Sequence, residues 1–296
     1  MELPEGDDVP QQEAPQDLIK AETVGAWYDK FGDLYHMTLG DSVHCGLWVS
    51  PDEPHPASMD LVALSSQAQD RYTDYLVRLM NARPGGHHLD IGCGPGRPAA
   101  RLAEQSGTRV TGISVSKEQI ARANEMARAG GLADRLTFEV VDAMNLPYED
   151  ESFDTAWAVE SLCHMDRAKA LGEAWRVLRP GGHLMILESS LAAELTPVEL
   201  GLYETVLASN PPLPLPELFA LLERTGFQTL EFKDLSANLA ISADVIALLL
   251  RDRREELTAA LGAEFVEQTD AAYTGVRTII REKTRFFMML LRKPLA

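Results

Sequence analysis

The eight residues Leu89-Asp90-Ile91-Gly92-Cys93-Gly94-Pro95-Gly96 constrain this chain more than any other stretch. Three glycines follow directly on a β-rich run and precede a helical one, where missing side chains let the backbone turn sharply and approach a ligand closely. The surrounding sequence has the matching rhythm. Short β-rich runs at 88–91, 110–113, 137–141, 153–158 and 183–188 alternate with helical stretches at 98–106, 117–129 and 167–178. That alternation predicts an α/β fold built from βαβ units, with a mostly parallel sheet and its ligands at the C-terminal strand ends. Pro180-Gly181-Gly182 is expected to stop the last of these helices.

Upstream, 18–39 carries Val24, Trp27, Tyr28, Phe31, Leu34 and Tyr35 at three- and four-residue steps, one apolar stripe of a helix. After a loop and the breakers Pro51, Pro54 and Pro56, helical spacing resumes over 57–81 until Arg83-Pro84-Gly85-Gly86 ends it. The expected organisation is an N-terminal helical cover over 18–83 and an α/β core over 84–296. Two insertions, 191–216 and 237–283, read as lids on that core built from inserted helices. The run Asn210-Pro211-Pro212-Leu213-Pro214-Leu215-Pro216 suits neither helix nor central strand. Beyond it the pattern predicts a helix at 216–224, a strand at 229–232, long amphipathic stretches at 242–261 and 264–283, and a closing strand at 286–291.

Composition narrows the function. With 45 acidic against 27 basic residues the net charge is −18, and a surface that acidic repels nucleic acid and anionic lipid. Residues 1–17 hold six of the acids, three prolines and no Lys or Arg, so they read as a disordered, solvated tail. No apolar run approaches the roughly 18 to 20 residues of a bilayer span, so no membrane insertion and a cytoplasmic location are expected. Cys45, Cys93 and Cys163 lack the spacing of a disulfide framework or a zinc site, and no metal is expected.

The glycine loop does not fit a dinucleotide. A GxGxxG fingerprint needs glycine where Arg97 stands, and an acid about 20 residues on, where Ser114 stands. Asp90, two residues before the first glycine, favours instead a cofactor without a pyrophosphate and with a cationic end. The loop and the following Val110-Thr111-Gly112-Ile113-Ser114-Val115-Ser116-Lys117-Glu118-Gln119 resemble class I S-adenosylmethionine-dependent methyltransferases. The resemblance is to the small-molecule branch with antibiotic sugar and polyketide O-methyltransferases, sterol and tocopherol methyltransferases and, more distantly, cyclopropane fatty-acid synthases. It runs from Tyr28 to about Glu188 and implies a Rossmann-like, mostly parallel seven-stranded sheet, S-adenosylmethionine as cofactor and S-adenosylhomocysteine as its product.

Carried onto this sequence, the resemblance implies that Gly92, Gly94 and Gly96 cradle the methionine and ribose portion while Asp90 orients the loop. Ser114 and Gln119 stand in for the ribose-binding acid of most members; Gln119 equally completes a helix capping box with Ser116. Asp142 and Ala143 match the adenine bracket. Tyr28, His44 and Trp48 match the cover over the cofactor, whereas Trp27 and Phe31 read as ordinary helix packing. Val159-Glu160-Ser161-Leu162-Cys163-His164-Met165 sits where related sugar O-methyltransferases read Glu-Ser-Leu-His-His-Met, the first His being the base. Cys163 occupies that position here and reads as a small apolar pocket wall, since no adjacent Lys or Arg lowers its thiol pKa. His164, next along, is the candidate base with Glu188 orienting it, and Glu160 is grouped with the cofactor residues.

The acceptor implied is a small, apolar secondary metabolite, such as a polyketide, glycoside or terpenoid, methylated on oxygen first and on carbon second. A cyclase that binds the cofactor without using it, and a binding module that has lost catalysis, are the rival readings. A homodimer through the long C-terminal helices is an arrangement that periodicity leaves open.

Overall fold

The computed structural model describes residues 19–46 and 61–295; the expected tail and Trp48 lie outside the described residues. Two helices, α1 (Ala21–Leu39) and α2 (Leu61–Met80), precede the sheet. Then β1 (His87–Ile91), α3 (Arg97–Ser106), β2 (Arg109–Ser114), α4 (Lys117–Ala129), β3 (Leu136–Val140), β4 (Phe153–Val159), α5 (Arg167–Val177) and β5 (Leu178–Leu191) follow as βαβ units. A short 3-10 turn, Leu162–His164, separates β4 from α5. The chain continues through α6 (Pro197–Leu207), the two-residue β6 (Leu213–Pro214), α7 (Leu215–Thr225), β7 (Gln228–Asp234), α8 (Ser236–Asp252), α9 (Arg254–Leu261), α10 (Ala263–Lys283) and β8 (Thr284–Arg292).

Seven strands form a continuous sheet in the order β3-β2-β1-β4-β5-β8-β7, and β6 pairs with the end of β5 off that path. The pairs among β1 to β5 are parallel, and β8 inserts antiparallel between β5 and β7. The mostly parallel seven-stranded sheet read from the sequence is therefore present. Its strands are apolar on both faces, as a sheet covered by helices on each side requires. Period-two alternation assigns each residue its side. Trp157, Met185, Leu187, Phe286 and Met288 pack on one face with α2, α3 and α4. Ala156, Ala158, Leu184, Ile186 and Phe287 pack on the other with α5 and α7.

The connection 191–216 carries a lid helix, α6, opened by a capping box in which Glu199 N–H donates to Thr196 Oγ1 (3.3 Å) and Thr196 N–H donates to Glu199 Oε2 (2.7 Å). Two local expectations are corrected. The stretch 242–261 is two helices, broken at Arg253. Pro180-Gly181-Gly182 does not end a helix; it lies inside β5, which begins at Leu178, and the register with β4 shifts there.

A third cluster, from α8, α9 and α10 with Leu202 and Val206 of α6 and Leu34 of α1, forms a roof over the C-terminal strand ends. Beneath it β1 and β4 lie side by side with β2 and β5 on opposite flanks, so the strand order reverses between them and a crevice opens at their ends.

Two glycines test this packing with opposite signs. A Cβ on Gly112, in the middle of β2, would come within 2.5 Å of the Phe138 ring and 2.9 Å of Cys93 Cβ. Gly112→Ala is expected to cost about 1–3 kcal/mol by overpacking. Gly172, exposed within α5, has nothing within 4 Å, and Gly172→Ala is expected to stabilise by about 0.5–1 kcal/mol. Thermal denaturation of both variants checks the pair.

Candidate active site

The site begins at the turn after β1. Gly92 and Cys93 both donate their N–H to the Ile113 carbonyl of β2 at 2.9 Å, which folds the chain back on itself. Gly92 has a φ of +79°, and a Cβ there would lie 2.4 Å from Ser161 Cβ, so only glycine fits. Gly94, at φ +54°, has nothing within 4 Å of a Cβ position and faces open space. Gly96 packs inward against Phe138 and Ala123. Arg97, the residue that rules out a dinucleotide fingerprint, makes a bidentate contact with Asp70 of α2 (2.8 and 2.7 Å), and Arg101 pairs likewise with Asp74. These pairs hold α3, and with it the exit of the glycine turn, against the N-terminal helices.

Around the turn the structure brings together most of the residues singled out from sequence. One cleft is lined by Tyr28, Gly92, Gly94, Ser114, Gln119 and Asp142, with Ala143 and Glu160 beside them. Ser114 Oγ donates to Gln119 Oε1 (3.0 Å), and Gln119 N–H donates to the Ser116 cap (3.2 Å), so Gln119 serves both the helix end and the cleft wall. Asp142 accepts from Met144 N–H at 2.9 Å, a turn contact that leaves its other oxygen available.

Asp90 and His44 stand apart. Asp90 does not line the cleft; it is buried under the turn, its Oδ2 has no partner among the described residues, and burial pushes its carboxyl up to about 7. His44 was expected in the cofactor cover, but its ring is engaged elsewhere. Nδ1 lies 2.7 Å from the Cys45 carbonyl, Nε2 lies 3.4 Å from Thr73 Oγ1, and the residue borders a second cavity instead of the cleft.

That second cavity, of about 580 Å³, lies beneath the roof helices. Its walls are mostly apolar and include Trp27 and Phe31, which sequence assigned to ordinary packing; Phe31 stacks on Phe265 of α10 with centroids 5.2 Å apart. Cys163 lines it as expected, its thiol pushed up to about 12 by burial. Cleft and cavity share Tyr28, Val43, Glu160 and His164 in their walls.

At this seam His164 Nδ1 lies 2.9 Å from the Ala208 carbonyl, and Nε2 lies 2.9 Å from the Tyr28 hydroxyl. A carbonyl only accepts, so Nδ1 carries the hydrogen; in the neutral ring Nε2 presents its lone pair and Tyr28 donates to it. Burial lowers the His164 pKa, against the Ala208 hydrogen bond, and raises that of Tyr28. Glu188 does not hold His164. Its Oε1 pairs with Arg167 at 3.1 Å, both side chains buried at 2% and 7% exposure. Glu160, at φ +54° just past β4, accepts from Cys45 N–H (2.7 Å) and Cys45 Sγ–H (3.0 Å), and burial pushes its carboxyl up to about 7.

Sequence reasoning missed Arg167, Ala208 and Phe265. Arg167 and Ala208 act through contacts 21 and 44 residues away along the chain, which no local pattern announces.

Comparison with known proteins agrees with this geometry. Residues 89–186 match the family model described as a methyltransferase domain. Methyltransferase GfsG of Streptomyces halstedii is 36% identical over 254 residues, 84% of this chain and 87% of that protein. The chain belongs to the class I S-adenosylmethionine-dependent methyltransferases. The 27-O-demethylrifamycin SV methyltransferase of Amycolatopsis mediterranei is 45% identical over 164 residues, 55% of this chain and 57% of that protein. The crystal structure of the [4+2]-cyclase SpnF superposes with a TM-score of 0.79 at 30% identity, covering 94% of this chain and 98% of that one.

The residues of this methyltransferase fit its cofactor. Gly94 leaves open space at the turn after β1, and the nearby buried Asp90 carboxyl has an oxygen without a partner among the described residues, a group that a cationic ligand would draw toward its charged form. Ser114, Gln119 and Asp142 supply polar groups along the wall. Among the described residues no helix is long and apolar enough to cross a membrane, and no His, Cys, Asp and Glu cluster could hold a metal ion.

Asp90 gives a two-sided prediction. The folded chain holds its proton up to about pH 7 and the unfolded chain releases it near 4, so this group's contribution to stability falls as pH rises between those values. Asp90→Asn is expected to raise the melting temperature of the ligand-free protein at pH 8, to change it little at pH 5, and to weaken S-adenosylmethionine binding measured by calorimetry.

Proposed function

We propose that this enzyme methylates a hydroxyl oxygen of a small apolar natural product, such as a polyketide, glycoside or terpenoid. The observation that carries the reading is the shared wall: the glycine-lined cleft and the apolar cavity meet at Tyr28, Glu160 and His164, with the His164 Nε2 lone pair turned to the seam. A cavity of about 580 Å³ suits a compact acceptor of roughly drug size. The rifamycin relative is, by its name, a methyltransferase for a 27-O-demethyl substrate, which supports oxygen as the acceptor atom.

When bound, S-adenosylmethionine supplies an electrophilic methyl group on a positively charged sulfur. Gly92, Gly94, Ser114, Gln119, Asp142 and Ala143 hold it, with Asp90 supporting the turn. α1 and the segment through His44 cover the site, and α6 with α8 to α10 form the acceptor roof. These layers exclude water and align the acceptor, and such positioning can account for roughly 7–11 kcal/mol of a displacement barrier. His164 takes the acceptor hydroxyl's proton at Nε2, directly after Tyr28 yields its place or through the Tyr28 oxygen. The Ala208 carbonyl then steadies the imidazolium through Nδ1, and the charge of the buried Glu188 favours the same form.

A second reading is favoured by one observation, the 30% identity and near-complete overlap with a [4+2]-cyclase. Product mass separates the two: one added methyl for the transferase, no change for a cyclase. In a screen of hydroxylated polyketides and terpenoids, His164→Ala is expected to lower kcat about 10²–10⁴-fold while leaving S-adenosylhomocysteine affinity nearly unchanged. Because burial lowers the His164 pKa, the wild-type rate should level off above a pH below 6.5, and this limb should vanish in His164→Ala. A variant of full activity, or an unaltered limb, would remove His164 from the mechanism.

A further inference from the structure

We propose that Glu188 is a specificity residue: its free Oε2 anchors a second hydroxyl of the acceptor, apart from the one that is methylated. The inference rests on the reading of the 580 Å³ cavity as the acceptor site. Glu188 lines that cavity and Arg167 does not. Arg167 binds only Oε1, at 3.1 Å, and Glu188 Oε2 is buried with no hydrogen-bond partner among the described residues. A buried carboxylate oxygen left unpaired is costly, and the cost disappears when a ligand supplies a donor. His164 is already held from both sides, by Ala208 and Tyr28, and makes no hydrogen bond to Glu188. Its carboxylate is thus free of the orienting duty expected for it.

The ion pair also sets the chemistry of what is recognised. Arg167 balances the Glu188 charge, so the pair as a whole does not call for a cation; what remains is a strong acceptor atom in apolar walls. The fitting group is a neutral donor, a hydroxyl, on an otherwise apolar molecule. An ether or ketone at that position offers only lone pairs and is rejected, the discrimination that a site built to bond a hydroxyl exerts on its analogues.

The test uses the full chain loaded with S-adenosylhomocysteine, and two probes, 1-decanol and its methyl ether, titrated by calorimetry. Wild type is expected to bind the alcohol about 10-fold or more tightly than the ether, as for a hydrogen bond to a charged group. In Glu188→Gln the amide oxygen must keep the Arg167 bond, which leaves the NH₂ in the place of Oε2 and turns an acceptor into a donor. The alcohol's advantage should fall to about 2-fold or less. His164→Ala should retain most of it, which separates the two polar groups of the site. If Glu188→Gln folds poorly, the double variant Arg167→Met/Glu188→Leu removes the pair as a unit, an exchange that buried ion pairs often tolerate, and the preference should be lost there too. An alcohol preference that survives in these variants overturns the anchor and leaves the proposed function standing. Binding of neither probe to protein that binds S-adenosylhomocysteine overturns both.

Discussion

The turn at Gly92 ties the two halves of the active site into one body. Its N–H and that of Cys93 share the Ile113 carbonyl, which fixes the turn to β2. On the other side Ser161 packs into the space a Gly92 side chain would fill, and its hydroxyl donates to the Ile91 carbonyl at the end of β1. Ser161 is flanked by Glu160 and leads into the turn that carries His164. The backbone of the glycine turn and the backbone that presents His164 are therefore braced against each other. A displacement reaction, in which positioning outweighs acid–base help, depends on that bracing above all.

Around this joint the protein tolerates several unfavourable burials. Asp90 and Glu160 are both pushed up to about 7 by burial, Glu160 sits at a positive φ, and Glu188 Oε2 and Arg167 Nε lack partners among the described residues. Strain and unpaired polar atoms collect where ligands bind, because the bound partners relieve them. The rest of the sheet shows the ordinary solution: Ala, Leu, Ile and Met alternate cleanly between two helix-covered faces, and the helix carrying the glycine turn is clamped by Arg97–Asp70 and Arg101–Asp74.

The core fold was legible because its signals are local. Strand and helix runs from β1 to α5 are short and punctuated, and the glycine turn has one structural solution. The roof was less legible. A helical lid after β5 was expected, but the bounds of α6 were obscured by the prolines that follow it, although Thr196-Pro197-Val198-Glu199 carries a capping-box signature. The break at Arg253 has no Gly or Pro to announce it. In the site, the family resemblance pointed to Ser114, Gln119, Asp142 and Ala143, all of which line the cleft, but side-chain direction misled for His44, whose ring turns toward Thr73. Glu188 was found and its partner was not, since Arg167 reaches it from another element. Trp27 and Phe31 illustrate the remaining ambiguity: an apolar helix stripe reads the same whether it faces a filled core or a cavity.

The central claim is that cofactor cleft and acceptor cavity meet at Tyr28, Glu160 and His164. A crystal structure of the full chain with S-adenosylhomocysteine tests it most directly. The account predicts the adenine beside Asp142 and Ala143 and the sulfur at the seam, with an open path from it into the cavity under α6 and α10. A sulfur facing away from that cavity, or a ligand seated outside the glycine turn, would contradict it.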